Sequence, residues 1–148
     1  MKLPKTYRPL GARMVAGVTS VCIVSLVVVL WVLLPHDVQN QLSWIQRSTI
    51  LAVFVAILVG LNALFRTSVH ADAEGLTVIN GYRSHRYVWE QIVSITLTPN
   101  RPWAAIDLDD GTSMQVMALQ SADGARASRS TRELARVIAV RSRPERDN

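Results

Sequence analysis

His70, Asp72 and Glu74 stand at alternate positions in His70-Ala71-Asp72-Ala73-Glu74, and all three carry metal-ligating groups. On a strand they would share one face. Closed zinc or magnesium sites draw their ligands from several elements, so this short run reads instead as a solvated linker. Asp107-x-Asp109-Asp110-Gly111 suggests calcium at first sight. The EF-hand pattern needs a different spacing and a closing Glu, so the segment reads as a tight turn. His85 has no Cys and no carboxylate at a readable spacing. There is no P-loop, no G-x-G-x-x-G, no G-x-S-x-G and no His/Cys cluster. The sequence therefore predicts no catalysis, no metal and no cofactor.

Two groups of arginines could meet anions. Arg83 and Arg86 flank Ser84-His85 beyond an Asn80-Gly81 turn signal. Arg129, Arg132 and Arg136 share one face of a C-terminal helical pattern, off its apolar stripe. Residues 71–123 hold three Arg against seven acids, and residues 124–148 hold seven Arg against three. The basic end is suited to anionic lipid headgroups, where each Arg is worth about 1 kcal/mol near the surface. The same face also fits an ordinary solvated surface. Residues 67–148 as a whole carry ten Arg and ten acids, so the net charge of +5 comes from elsewhere. It does not mark a nucleic-acid-binding domain.

These groups must be positioned by a chain of 148 residues, 49% apolar. No charged residue occurs over the 22 positions from Met14 to Pro35, nor over the 18 from Ser48 to Phe65. Both lengths suit a hydrocarbon core of about 30 Å at about 1.5 Å per residue. The first run is longer than a leader's apolar region and Pro35-His36-Asp37 follows it, so it is expected to stay in the chain. Cys22 lies inside it and reads as a small packing residue. The spacing predicts a helix over 12–34, an extracytoplasmic loop over 35–47 and a second helix over 48–65. Trp31 and Trp44 lie towards the same membrane face, as in an aromatic belt. Lys2, Lys5, Arg8 and Arg13 precede the first helix and Arg66 closes the second, against Arg47 alone in the loop. The positive-inside rule places both termini in the cytoplasm, with residues 1–11 as a basic tail. No ionisable residue lies deep in either run, which disfavours a transporter or proton relay.

After Arg66 the period changes. Leu76 and Val78 alternate with polar residues, Asn80-Gly81 is a hairpin signal, and Tyr87 to Leu97 reads as further strand with a turn or bulge near Trp89. A run from Trp103 to Leu108 and another from Ser113 to Leu119 flank the Asp109-Asp110-Gly111 turn. Ser130, Leu134, Val137 and Ile138 then recur at helical spacing, with Ser121 or Asp123 as the cap. The fold class expected is a membrane α-helical hairpin plus a small α+β domain over 66–140. That domain is an antiparallel sheet of about five strands, partly open and capped by one C-terminal helix. Residues 141–148, with Pro144, read as a disordered tail.

Glu74-Gly75-Leu76, Val88-Trp89-Glu90-Gln91-Ile92, Asp107-Leu108-Asp109-Asp110-Gly111 and the Leu134–Ile138 helix occur in this order over about residues 72–140. That region resembles the short bacterial pleckstrin-homology (PH) domains. The whole layout is similar to actinobacterial membrane proteins of the low-molecular-weight protein antigen 6 type. The resemblance implies a PH-like module, whose full form has seven strands. It also implies an interaction role. In eukaryotic PH domains a loop comparable to Arg83–Arg86 holds phosphoinositide phosphates.

The expected function is a non-enzymatic, multi-pass plasma-membrane protein whose cytoplasmic PH-like module acts as an interaction or scaffold element. Its partners would be the bilayer, a protein not named by the sequence, and anionic lipids through Arg129, Arg132, Arg136, Arg83 and Arg86. The alternative is a small accessory subunit of a larger membrane complex.

Overall fold

The computed structural model describes residues 3–142. The chain forms two units, residues 12–65 and residues 1–11 with 66–148.

The first unit is helical. α1 (Leu10–Leu33) and α3 (Trp44–Arg66) are both long and apolar enough to cross a membrane. Between them lies a six-residue helix, α2 (His36–Gln41), opened by Pro35. The sequence reading starts the second helix at residue 48, but α3 begins four residues earlier. The cause is a capping box. The Gln46 side chain accepts from the Ser43 N–H (2.9 Å) and the Ser43 hydroxyl accepts from the Gln46 N–H (3.3 Å). Arg47, in the first turn of α3, donates through Nε to the Leu42 carbonyl (3.1 Å) and through Nη2 to the Gln39 carbonyl. Its guanidinium lies 5.6 Å from the Trp31 ring centre. At the other end of the pair, Arg13 lies 5.8 Å from the Phe65 ring.

Among the described residues the second unit holds seven strands in two antiparallel sheets, not five strands in one. β1 (Lys5–Tyr7), β2 (Ser68–Ala71), β3 (Gly75–Asn80) and β4 (Arg83–Val88) form the first sheet in that order. β5 (Ile92–Thr96), β6 (Trp103–Leu108) and β7 (Ser113–Gln120) form the second. A 3₁₀ turn over Trp89–Gln91 joins the sheets, where the sequence suggests a turn or bulge. α4 (Ala125–Arg141) follows a short 3₁₀ turn over Ser121–Asp123. Of the tail expected over 141–148, Arg141 ends α4 and Ser142 caps it, while residues 143–148 lie outside the described residues.

The two strands missing from the sequence reading have identifiable disguises. β1 is three residues, Lys-Thr-Tyr, inside the basic tail. It pairs with β2 in the register Lys5↔Ala71, Thr6↔His70 and Tyr7↔Val69. The end of β2, His70 and Ala71, opens the segment read as a solvated linker. Val69 and Ala71 point into the core, which the alternating polar residues around them conceal. The whole helical unit is thus an insertion between the first two strands of one sheet.

Leu76, Val78, Val69, Ile92, Ile106 and Val116 are fully buried between the sheets, and Leu134 and Ile138 of α4 close over them. Fully burying such side chains contributes about 1.5–3 kcal/mol each. Trp89 is 2% exposed and donates its indole N–H to the Asp72 carbonyl (3.2 Å). A buried indole needs such a partner. On α4 the buried face is Ala127, Thr131, Leu134 and Ile138, so Thr131 takes the place assigned to Ser130.

The β3–β4 turn falls one residue later than its sequence signal. Asn80 pairs with Arg83, and Gly81-Tyr82 form the loop, with Gly81 at φ +64°. Glycine at the first loop position is the type II′ preference. Asn80 stays in the strand because its side chain is used elsewhere. Its Nδ2 donates to the Gln115 carbonyl (2.6 Å) and its Oδ1 accepts from the Met117 N–H (3.0 Å), linking the first sheet to β7.

Candidate functional site

The residues that suggested metal chemistry are held in other bonds. Both His70 ring nitrogens meet hydroxyls, Thr6 Oγ1 at 2.8 Å and Ser68 Oγ at 3.1 Å. Asp72 follows β2 and accepts from the N–H groups of Glu74 (2.9 Å) and Gly75 (2.8 Å). The Gly75 N–H leads in holding the Asp72 carboxyl below its ordinary range. Asp107 accepts hydroxyl bonds from Ser94 (2.6 Å) and Ser113 (2.7 Å), which lower its pKa in that order. Asp109-Asp110-Gly111 is a tight turn, with Gly111 at φ +82° and its N–H bonded to the Leu108 carbonyl. Among the described residues no three His, Cys, Asp or Glu converge as a metal site.

The five arginines do not form one cluster. Arg83 and Arg86 are three apart on β4, and odd spacing puts their side chains on opposite faces. Arg86 Nη2 is bound to two carboxylates, Glu74 at 2.7 Å and Asp72 at 3.3 Å. Its charge is matched locally. Arg83 instead lines a cleft with His85, Asn80 and Ser113. Arg129, Arg132 and Arg136 are exposed on α4, opposite its buried face. Arg129 and Arg136 have no ion pair or side-chain hydrogen bond among the described residues. Arg132 donates Nε to the Ser128 carbonyl (3.2 Å) of its own helix.

Three arrangements had no signal in the sequence. Lys5 Nζ lies 2.5 and 2.6 Å from the two Glu133 oxygens and 5.2 Å from the centre of the Tyr7 ring. The Lys5 bond holds the Glu133 carboxyl low, and burial together with Glu133 pushes the Tyr7 phenol far up. Asp123 does not cap α4, whose N-cap is Gly124 at φ +56° without a side-chain bond. Its carboxylate accepts instead from the N–H groups of Leu10 (3.2 Å) and Gly11 (2.9 Å), which open α1. Thr131 Oγ1 is buried and has no hydrogen-bond partner among the described residues. The first two arrangements join residues more than 100 positions apart, beyond any local periodicity.

Two stacked antiparallel sheets of four and three strands, closed by a C-terminal helix, are the frame on which all these groups sit. Residues 66–136 match the family model described as a bacterial PH domain. Over that stretch the chain carries a domain similar to bacterial PH domains. No curated protein and no solved structure matches it. PH domains are typically binding modules without catalysis. The match starts at Arg66, so β1 and its Lys5–Glu133 clamp lie outside it or across its limit. The PH domain of this chain is completed by a strand encoded before the two apolar helices.

Proposed function

We propose that the protein is a non-enzymatic interaction or scaffold module at the cytoplasmic face of the plasma membrane, anchored by α1 and α3. The observation that carries this reading is the joining of a PH domain to two helices of 24 and 23 residues. Each is about 35 Å long at about 1.5 Å per residue, and apolar side chains such as Val15, Val21, Leu51 and Val53 are exposed along both. Outside a bilayer such surfaces are an aggregation hazard. Lys5, Arg8, Arg13 and Arg66 flank one end of the pair and Arg47 the other, so both termini are assigned to the cytoplasm. The layout is similar to the antigen 6 type.

The anchor raises the local concentration of the PH domain near its partners. Arg129 and Arg136, without an ion pair among the described residues, are offered to anionic lipid headgroups. Arg86 is left out of that assignment because Asp72 and Glu74 already neutralise it.

The test is accessibility labelling in intact cells. With Cys22 replaced by Ala, single cysteines at Gln41 and Ser142 are exposed to a membrane-impermeant maleimide. Labelling at 41 alone is expected. Labelling at 142 from outside would reverse the orientation, and release of the chain from membranes by carbonate would remove the anchor.

A second reading, an accessory subunit of a membrane complex, draws on an apolar cleft of about 540 Å³ between α1 and α3. Val27, Leu30, Phe54 and Leu51 line it. A chain co-purifying at fixed stoichiometry after mild detergent extraction would favour that reading.

A further inference from the structure

α1 and α3 lie close together at one end and part towards their connection. Ala16 is the only buried residue of either helix, and a Cβ on Gly17 would lie 3.5 Å from the Phe65 ring. Towards the connection the pair is separated by the cleft of about 540 Å³. Val27, Leu30, Leu34, Ile50, Leu51 and Phe54 line it, and apart from Arg47 the rest of the lining is aliphatic or aromatic as well. A concave apolar site with very few placed polar groups is the usual form of a small-ligand site.

Arg47 is fixed in the wall of this cleft. Its bonds to the Leu42 and Gln39 carbonyls and its place beside the Trp31 ring hold the guanidinium. Gln39 Nε2 donates in turn to the Trp31 (3.0 Å) and Leu34 (2.9 Å) carbonyls, which ties Arg47 to the end of α1. A guanidinium carries more donors than these two bonds use. Arg47 Nη1 has no hydrogen-bond partner among the described residues, and the charge has no ion pair there. Asp37 is the only acid between residues 12 and 65, and it is not within ion-pair distance of Arg47. A held, unmatched cation in the wall of an apolar cleft suits a ligand with an acidic head and an apolar tail.

We propose that the cleft takes one acyl chain of an anionic phospholipid from the extracytoplasmic leaflet, with the lipid phosphate on Arg47. Residues 27–34 rise about 10 Å at about 1.5 Å per residue. That fits within the roughly 15 Å that one leaflet gives to a hydrocarbon core of about 30 Å. Leu30 and Leu51 are exposed, so a chain can enter sideways from the bilayer. The tail gains no hydrophobic free energy on entry, because bulk lipid is equally apolar. The cleft therefore fixes where the chain lies, and Arg47 decides which head is kept. A zwitterionic head brings a cation of its own, so an anionic head is preferred. A partner helix, with a diameter of about 10 Å, would lie over the cleft and, if apolar, leave Arg47 unmatched. The proposal rests on the reading of α1 and α3 as a membrane anchor and names a ligand for it.

The experiment uses the full chain in phosphatidylcholine nanodiscs that hold a trace of phosphatidylglycerol with a diazirine on one acyl chain. After irradiation and digestion, mass spectrometry maps the adducts. They are expected in residues 27–34 and 50–54, displaced by unlabelled phosphatidylglycerol and not by further phosphatidylcholine. Arg47→Gln should cut them about fivefold, the worth of one arginine at a lipid surface. Leu51→Trp should fill the cleft and cut them as well, with Arg47 intact. Adducts spread evenly along both helices, an equal yield from labelled phosphatidylcholine, or an unchanged yield in Arg47→Gln would overturn the proposal. A co-purifying chain that shields residues 27–34 from the label would assign the cleft to protein and also overturn it. Release of the chain from cell membranes by carbonate fails the anchor reading and the site with it. Evenly spread adducts on a chain that is retained fail the site alone.

Discussion

Lys5 and Glu133 are 128 residues apart in sequence and 2.5 Å apart in space. This pair, with Tyr7 beside it, fastens the first strand of the PH domain to its last helix. Both side chains are more than a third exposed, 41% and 35%, so the pair is worth less than about 1 kcal/mol. Lys5→Ala should therefore barely move the melting point. It should raise amide exchange in β1 and in the β2 residues it covers. Unchanged exchange there would mean that the clamp holds nothing.

The same pair sets a pH dependence. The Glu133 pKa is lowered from 4.5 in the fold, so its contribution is present above that value and lost as pH falls through the folded one. The Tyr7 phenol is raised from 10.0, so its contribution is present below that value and fades as pH rises beyond it. Exchange in β1 should increase at both extremes, and Glu133→Gln should flatten the acid limb. An acid limb that survives Glu133→Gln would point to Asp72, whose carboxyl is lowered as well.

A fragment starting at residue 67 lacks β1 and leaves the inner edge of β2 bare, which invites aggregation. Because Tyr7 pairs with Val69, joining Arg8 to Ser68 through Asn-Gly should give a two-residue hairpin and a domain without the apolar helices. That joined chain is expected to melt cooperatively as a monomer, and the 67–148 fragment to be less stable by several kcal/mol. Equal urea midpoints for the two would show that β1 is dispensable.

Gly75 and Trp89 guard the entrance to β3. A Cβ at position 75 would lie 2.1 Å from the Tyr87 carbonyl oxygen, a backbone atom that cannot swing aside. Gly75→Ala should cost at least about 3 kcal/mol, at the upper end for overpacking. Trp89→Phe loses the bond to the Asp72 carbonyl and part of the ring, and should cost about 2 kcal/mol. Chemical denaturation of the joined domain measures both, and a cost below about 1 kcal/mol for Gly75→Ala would contradict the close approach.

Changing Arg129 and Arg136 to Glu should reduce the share of phosphatidylglycerol that co-purifies with the full chain from mixed-lipid nanodiscs. About 1 kcal/mol per arginine is at stake. Native mass spectrometry reads the bound lipids. The same lipid share in the double variant would leave this face as plain solvated surface.

How much of this was legible in the sequence depended on how local each cause is. Charge-free runs marked both helices, because an apolar surface needs no partner to be recognised. Leu76, Val78, Val116 and Ala118 revealed their strands by alternation, and Leu134 and Ile138 their helix by its period. The family resemblance over residues 72–140 came from the same stretch that the family model matches. β1 could not be read, since three residues carry no period and its partner lies beyond 60 intervening positions. The end of β2 reads as linker because His70 is polar for reasons of bonding and not of exposure. Asn80 looked like a turn residue, and only the position of β7 shows why it remains in a strand. Among the arginines, sequence could group Arg83 with Arg86, but not see that Glu74 and Asp72 had claimed one of them.

The insertion of the helices between β1 and β2 has a consequence for biosynthesis. A ribosome adds about 5–20 residues per second, so the 128 positions separating Lys5 from Glu133 take roughly 6–26 s to emerge. The first strand's partner β2 emerges only after both apolar helices are made, and its helix partner Glu133 only at the end of that interval. The domain can close only once α4 has been made, which makes a folded domain a record that everything between its first and second strands was already translated.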